Sequence, residues 1–298
     1  MKRLPWSLAA VALAACVADP ASAPPPVTGP LSVASPATPQ REEAHTIPIP
    51  GSTSITARLC RPELPGPVPL AIINHGSPAN ASLRVHTRPA ACDSEAVAWF
   101  TSRGFAVLLP LRRGYGASGG NWAEAYGSCN GADFVAGGRE TARDIRAAID
   151  YAARLPGIRP QGILVVGQSA GGWGALALAS ENPPQVGAIV NMAGGRGGWA
   201  QQVPNTNCRP DRLVSGAAEF GRTARLPSIW LYTANDTFFG PSLAAEMHRA
   251  YGGTAQFVPL PAWGQDGHSL FFGRGGSATW GPVVEAFLRR QGLAPGPR

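Results

Sequence analysis

Four aliphatic residues, Ile163-Leu164-Val165-Val166, run without a spacer into Gly167-Gln168-Ser169-Ala170-Gly171-Gly172 and on into a small-residue stretch ending near Ser180. Few local patterns restrict a fold as strongly. A buried strand that turns directly into a helix must double back over its own end, and glycines two positions either side of Ser169 let it do so. Such a turn lifts the serine above the edge of a sheet, and the helix N-terminus beyond it adds a favourable field for a developing anion. In a chain with 37 glycines the pentapeptide alone says little. Its position between a buried strand and a helix makes Ser169 a candidate nucleophile rather than an ordinary turn serine.

The rest of the chain repeats the alternation. Apolar runs at 68–74, 105–110, 163–166, 186–192, 229–233 and 256–260 read as buried strands. Stretches with helical spacing lie at 94–103, 139–155, 170–180, 241–251 and 278–290. Buried strands separated by helices predict an α/β fold, a mainly parallel twisted sheet flanked by helices on both faces. Residues 44–50 and 54–60 alternate polar and apolar around Gly51-Ser52 and predict an antiparallel N-terminal edge.

A serine hydroxyl needs a base, and the base needs an orienting acid. Only two of the five histidines, His248 and His268, follow Ser169. His248 falls inside the helical stretch 241–251. His268 lies in Asp266-Gly267-His268, between the last strand and the last helix, and is the candidate base. Asp236 leaves the strand 229–233 and is the candidate acid. Asp266 is a rival, and Asp211 a weaker one in what reads as a loop. The backbone N–H groups of Ala170 and of Ser77, in Asn74-His75-Gly76-Ser77-Pro78, are the expected oxyanion donors, since Pro78 has none to offer. Tyr115, Trp173 and Phe238 are expected to contact substrate. The loop 116–138, with Trp122, Tyr126 and Phe134, is expected to act as a lid.

Met1-Lys2-Arg3 followed by a short apolar stretch reads as an export signal. It ends in Leu13-Ala14-Ala15-Cys16, a lipobox-like sequence, so residues 1–16 are read as a lipoprotein-type signal peptide and Cys16 as the lipidation site. Cleavage after Ala21-Ser22-Ala23 is the alternative. Residues 17–43, rich in Ala and Pro, are read as a disordered linker, and 44–298 as one catalytic domain. The expected location is the cell envelope, on the membrane through a lipid on Cys16. Cys60, Cys92, Cys129 and Cys208 then make an even set in an exported chain. Three pairings are open; Cys60–Cys92 with Cys129–Cys208 is the one expected here.

Other chemistries find less support. The formal charge is +7, but the basic residues are dispersed, and the fragments at 195–198 and 273–276 are isolated, so no nucleic-acid partner is expected. Gly114-Tyr115-Gly116-Ala117-Ser118-Gly119 matches a dinucleotide-binding spacing, yet it does not follow the first strand and no helix opens after it. No Cys-x-x-Cys spacing suggests zinc. No cofactor or metal is expected, and the oligomeric state is left open.

In order along the chain, Asn74-His75-Gly76, Arg113-Gly114-Tyr115-Gly116-Ala117-Ser118, Gly167-Gln168-Ser169-Ala170-Gly171-Gly172, and Asn235-Asp236 with Asp266-Gly267-His268 resemble the dienelactone hydrolase and prolyl-oligopeptidase-like branch of the α/β-hydrolase fold. The resemblance covers about residues 44–291. It implies a cofactor-free Ser-His-Asp triad of Ser169, His268 and Asp236. Dienelactone hydrolases use a cysteine where Ser169 stands, which favours the ester- or peptide-cleaving relatives. The expected activity is hydrolysis of small carboxylic esters through an acyl-enzyme. A serine exopeptidase or amidase is the alternative, and a catalytically silent surface-binding lipoprotein a further one.

Overall fold

A computed structural model describes residues 40–253 and 255–294. The expected signal peptide, Cys16 and most of the expected linker lie outside the described residues. Eight strands form a single sheet: β1 (Gln40–Ile47), β2 (Ile55–Pro62), β3 (Leu70–Asn74), β4 (Ala106–Leu111), β5 (Ile163–Gln168), β6 (Val186–Met192), β7 (Ser228–Thr233) and β8 (Ala255–Leu260). They lie in the order β1-β2-β4-β3-β5-β6-β7-β8. β1 and β2 run antiparallel, as do β2 and β4, whereas the pairs from β4 to β8 are all parallel.

The central strands are buried on both faces, which is why they read as continuous apolar runs. Successive residues alternate between two cores. Ile72, Val165, Ile189 and Trp230 face the layer of α2 (Phe134–Ala152), α3 (Ala170–Ala179), α4 (Pro210–Gly221) and α5 (Pro241–Tyr251). Ile73, Val166, Val190 and Leu231 face α1 (Glu95–Thr101) and α6 (Ser277–Arg290), around Trp99, Phe100 and Trp280. This is the α/β-hydrolase architecture.

Three boundaries differ from expectation. β1 begins at Gln40, so residues 40–43, assigned to the linker, are strand. Its polar start pairs with β2 on one side only and needs no apolar alternation. α2 begins at Phe134, with the Asp133 carboxylate accepting from Ala136 N–H at 2.8 Å, so the loop expected to run to 138 is five residues shorter. α4 replaces the loop expected around Asp211, which lies in its first turn, after Pro210 at a helix-starting position.

Both expected disulfides form. Cys60–Cys92 (Cα–Cα 5.5 Å) ties β2 to the segment before α1. Cys129–Cys208 (5.1 Å) ties the loop before α2 to the segment before α4. Two disulfides point to an extracellular or periplasmic protein. Among the described residues no helix is long and apolar enough to cross a membrane.

Candidate active site

Ser169 sits between β5 and α3 with φ 54° and ψ −121°. That conformation is sparsely populated for a side-chain-bearing residue and persists only when its surroundings impose it. They do. Ser169 N–H donates to Met192 C=O at 3.0 Å, and its own C=O accepts from Trp173 and Gly195. A Cβ on Gly171 would overlap the carbonyl oxygens of Asn74 and His75, so glycine there lets the α3 start pass under the end of β3. The turn after β3 therefore lies against the candidate nucleophile.

The parallel order then brings the other candidates to the same sheet edge. Asp236 follows β7, and His268 follows β8. His268 Nδ1 lies 3.0 Å from Asp236 Oδ2 and 3.2 Å from Oδ1. Both side chains are almost wholly buried. Asp236 Oδ1 also accepts from the N–H groups of Phe238 and Phe239, each at 2.8 Å. A carboxylate held by two backbone donors and facing Nδ1 selects the tautomer with its proton on Nδ1, leaving Nε2 as an acceptor. The Phe238 ring stacks on the imidazole at 4.1 Å, and Phe239 meets it edge-on.

Asp266, the rival acid, turns away from the imidazole. Its Oδ1 accepts from Thr237 N–H (3.1 Å) and His268 N–H (3.0 Å), bracing the acid turn against the base turn. His248 packs against Trp230 and Phe257.

Ser169 and His268 share the wall of a cleft of about 470 Å³ that also reaches Ser77, Phe238 and Phe272. A second recess of about 90 Å³ meets it at Ser169 and takes in Ser77 and Ala170. Ala170 is the first residue of α3, where an N–H has no intrahelical acceptor. Among the described residues no hydrogen bond joins the Ser169 hydroxyl to His268; such bonds often tighten only once substrate is bound.

Two of the three expected substrate contacts are corrected. Trp173 is fully buried in the core, its Nε1–H donating to Phe134 C=O at 2.7 Å and its ring against Phe220. α3 is packed all round, so a residue four positions after Ser169 turns inward. Tyr115 is also fully buried. It stands behind the turn after β3, edge-on to His75, with Trp122 Nε1–H donating to its hydroxyl at 3.0 Å and Ser77 as a further partner. Phe238 lines both recesses.

The residue missed by sequence reasoning is Glu124. It accepts from Arg112 Nε at 2.6 Å and from Arg196 Nη1 at 2.7 Å, and its backbone carbonyl accepts from Arg196 as well. Burial pushes its carboxyl up, but the two guanidinium charges outweigh that and hold it down at about 2. Arg112 Nη1 in turn donates to His75 C=O at 2.7 Å. His75 Nδ1 contacts Gly76 C=O at 2.7 Å, and its Nε2 accepts from Arg112 N–H at 3.3 Å, which requires a neutral ring. Burial, and then the Arg112 charge, lower that ring to about 3. Arg113 bonds Asp144 and Glu140 and so ties this turn to α2. The loop 116–138 expected as a lid, of which 116–133 is loop, is thus pinned from beneath at Glu124.

Among curated proteins no sequence matches this chain. Among solved structures, an esterase of Pyrococcus furiosus is similar over 84% of this chain and 93% of its own (15% identity, TM-score 0.58). A protein of Klebsiella pneumoniae provisionally described as a dienelactone hydrolase is similar over 85% and 99% (18% identity, TM-score 0.54). The acylaminoacyl peptidase of Pyrococcus horikoshii is similar over 87% of this chain and 43% of its own (12% identity, TM-score 0.64). At such identities the likeness establishes the α/β-hydrolase fold. The model of the X-Pro dipeptidyl-peptidase (S15) family matches residues 51–229, a segment that includes Ser169 and stops short of Asp236 and His268. With more than half of its length matched, the chain is a hydrolase belonging to the X-Pro dipeptidyl-peptidase (S15) family.

Proposed function

We propose that this hydrolase cleaves carboxylic esters through an acyl-enzyme on Ser169. His268 Nε2 takes the Ser169 proton as Oγ bonds to the acyl carbon. The N–H groups of Ala170 and Ser77 hold the oxyanion. Collapse of the tetrahedral adduct breaks the ester C–O bond, and the departing oxygen takes the proton from Nε2. Water then attacks the acyl-enzyme, with His268 again as base, and releases the acid. Asp236 holds the imidazole in the required tautomer and stabilises its charged form.

The observation that favours esters over peptides is the charge of the walls. Among the described residues the two recesses are lined by Arg84, Arg88 and Arg196 and by no carboxylate. Glu124 is nearby, but its oxygens are taken up by Arg112 and Arg196. An exopeptidase that reads a protonated peptide N-terminus must give the ammonium an acceptor, because desolvating it unpaired is costly. A neutral ester needs none.

The test is labelling of purified protein with a fluorophosphonate, followed by kinetics on p-nitrophenyl esters and on X-Pro p-nitroanilides. A tag on Ser169 that is absent in His268→Ala, with turnover confined to esters, is expected. A labelled serine with turnover confined to the anilides would establish the peptidase. A folded protein that takes no label would remove the acyl-enzyme mechanism altogether.

A further inference from the structure

The two recesses at Ser169 are unequal in size, and they differ in which end of the site they contain. The 470 Å³ cleft includes His268. Ser77 lines both, but the 90 Å³ recess takes in Ala170 and does not reach His268. In acyl transfer the base returns its proton to the leaving oxygen, so the leaving group must lie beside the histidine. The carbonyl oxygen lies on the backbone donors. The remaining substituent of the carbonyl carbon, the acyl chain, points away from the base.

We infer that the smaller recess is the acyl subsite, so that the preferred substrates are short-chain acyl esters, acetyl or propionyl, of larger apolar alcohols. The inference rests on the ester reading above. A dry cavity of about 150 Å³ accommodates benzene, with six carbons. On that scale 90 Å³ takes roughly three or four heavy atoms. A dipeptidyl acyl group ending in proline is several times larger. The alcohol side has the room, and Phe238, Phe272, Pro89, Ala90 and Leu109 give it an apolar lining.

The recess cannot widen cheaply. On one side the Trp122 indole is fixed by its hydrogen bond to Tyr115 and covered by the Arg84 guanidinium, 3.5 Å from the ring centroid. On the other, Arg196 is anchored to Glu124. Gly195 lies so close to Phe239 that a Cβ would sit 2.6 Å from the ring. Trp122 and Arg84 are therefore the specificity-determining residues, acting as the outer wall of the acyl subsite.

The test compares kcat/KM across p-nitrophenyl acetate, butyrate, hexanoate and octanoate, and across ethyl and benzyl acetate, whose leaving alcohols have similar acidity. A pocket that refuses further methylenes discriminates by about 10- to 200-fold, so a loss of that order from acetate to hexanoate is expected. Benzyl acetate should be preferred to ethyl acetate. In Trp122→Ala and Arg84→Ala the hexanoate-to-acetate ratio should rise; a ratio within one variant is insensitive to how much of it folds. Octanoate hydrolysed as well as acetate by the native enzyme, or a ratio unmoved in both variants, would overturn the subsite assignment. If no ester is turned over and Ser169 takes no fluorophosphonate, the ester reading itself fails, and this inference with it. A labelled serine with the wrong chain-length preference sinks the subsite alone.

Discussion

Arg112 and Glu124 meet at 2.6 Å with no more than 2% of either side chain reaching solvent. A pair so placed contributes little net stability when intact, because both charges were taken out of water, but removing one partner strands the other. Here the carboxylate serves two arginines, so its loss strands Arg112 and Arg196 together. Glu124→Gln is expected to lower unfolding stability by about 3–5 kcal/mol. Urea denaturation followed by tryptophan fluorescence measures this; a loss below about 1 kcal/mol, the scale of an exposed pair, would mean that water reaches the cluster.

Acidification should weaken the fold through the same region. The His75 ring binds its proton at about 3 in the folded chain against 6.5 when free. Below 6.5 the unfolded chain takes up a proton that the folded chain refuses, so stability falls as pH drops from about 6.5 towards 3. Glu124, held at about 2 against 4.5, stabilises the fold above 4.5 and loses that contribution as pH falls towards 2. The two windows overlap and have the same sign. Melting temperature recorded between pH 7 and 3 should fall throughout. In His75→Gln, which keeps hydrogen-bonding capacity without titrating, the decline should start nearer pH 4.5.

Replacing the three candidate catalytic residues should give unequal losses. Ser169→Ala and His268→Ala are each expected to lower kcat on the order of a millionfold, and Asp236→Asn on the order of ten-thousandfold. The double variant Ser169→Ala/His268→Ala should be no worse than either alone, because the groups act as a unit. Single-turnover kinetics on an activated acetate ester would read all four.

Opening the Cys129–Cys208 bridge frees the loop before α2 from the segment before α4. Cys129→Ser/Cys208→Ser is expected to cost roughly 2–5 kcal/mol. It should also weaken discrimination among acyl chains more than it lowers kcat on acetate. Thermal melts and the chain-length series check the two halves.

Much of the fold was legible because its central strands are buried on both faces and its longer helices carry regular apolar spacing. Ser169 was legible for a related reason: a strand, two glycines and a helix leave few geometries. Asp236 and His268 followed from chain order. What stayed hidden depends on faces and on distant partners. α3 is apolar all round, so nothing in its sequence says that Trp173 points away from the cleft. Tyr115, between two glycines, is expected at the substrate, but Trp122 and His75 enclose it. Glu124 is one acid in a polar loop; its meaning comes from arginines 12 and 72 positions away. α4 offered Pro210 at its start, a helix-starting signal masked by the polar, turn-rich stretch 201–209 before it.

The Cys129–Cys208 bridge joins two loops, and those same loops supply two facing parts of the wall of the small recess: Trp122 and Tyr126 from one, Gly195 to Gly198 from the other. Ser169, Asp236 and His268 arise from the ends of β5, β7 and β8 and carry no part of that bridge. The covalent staple fastens one wall to the other and leaves the chemical machinery to the sheet. A lineage can therefore recut the pocket by changing the two loops as a coupled unit, and acquire new substrates without retuning the groups that break the bond.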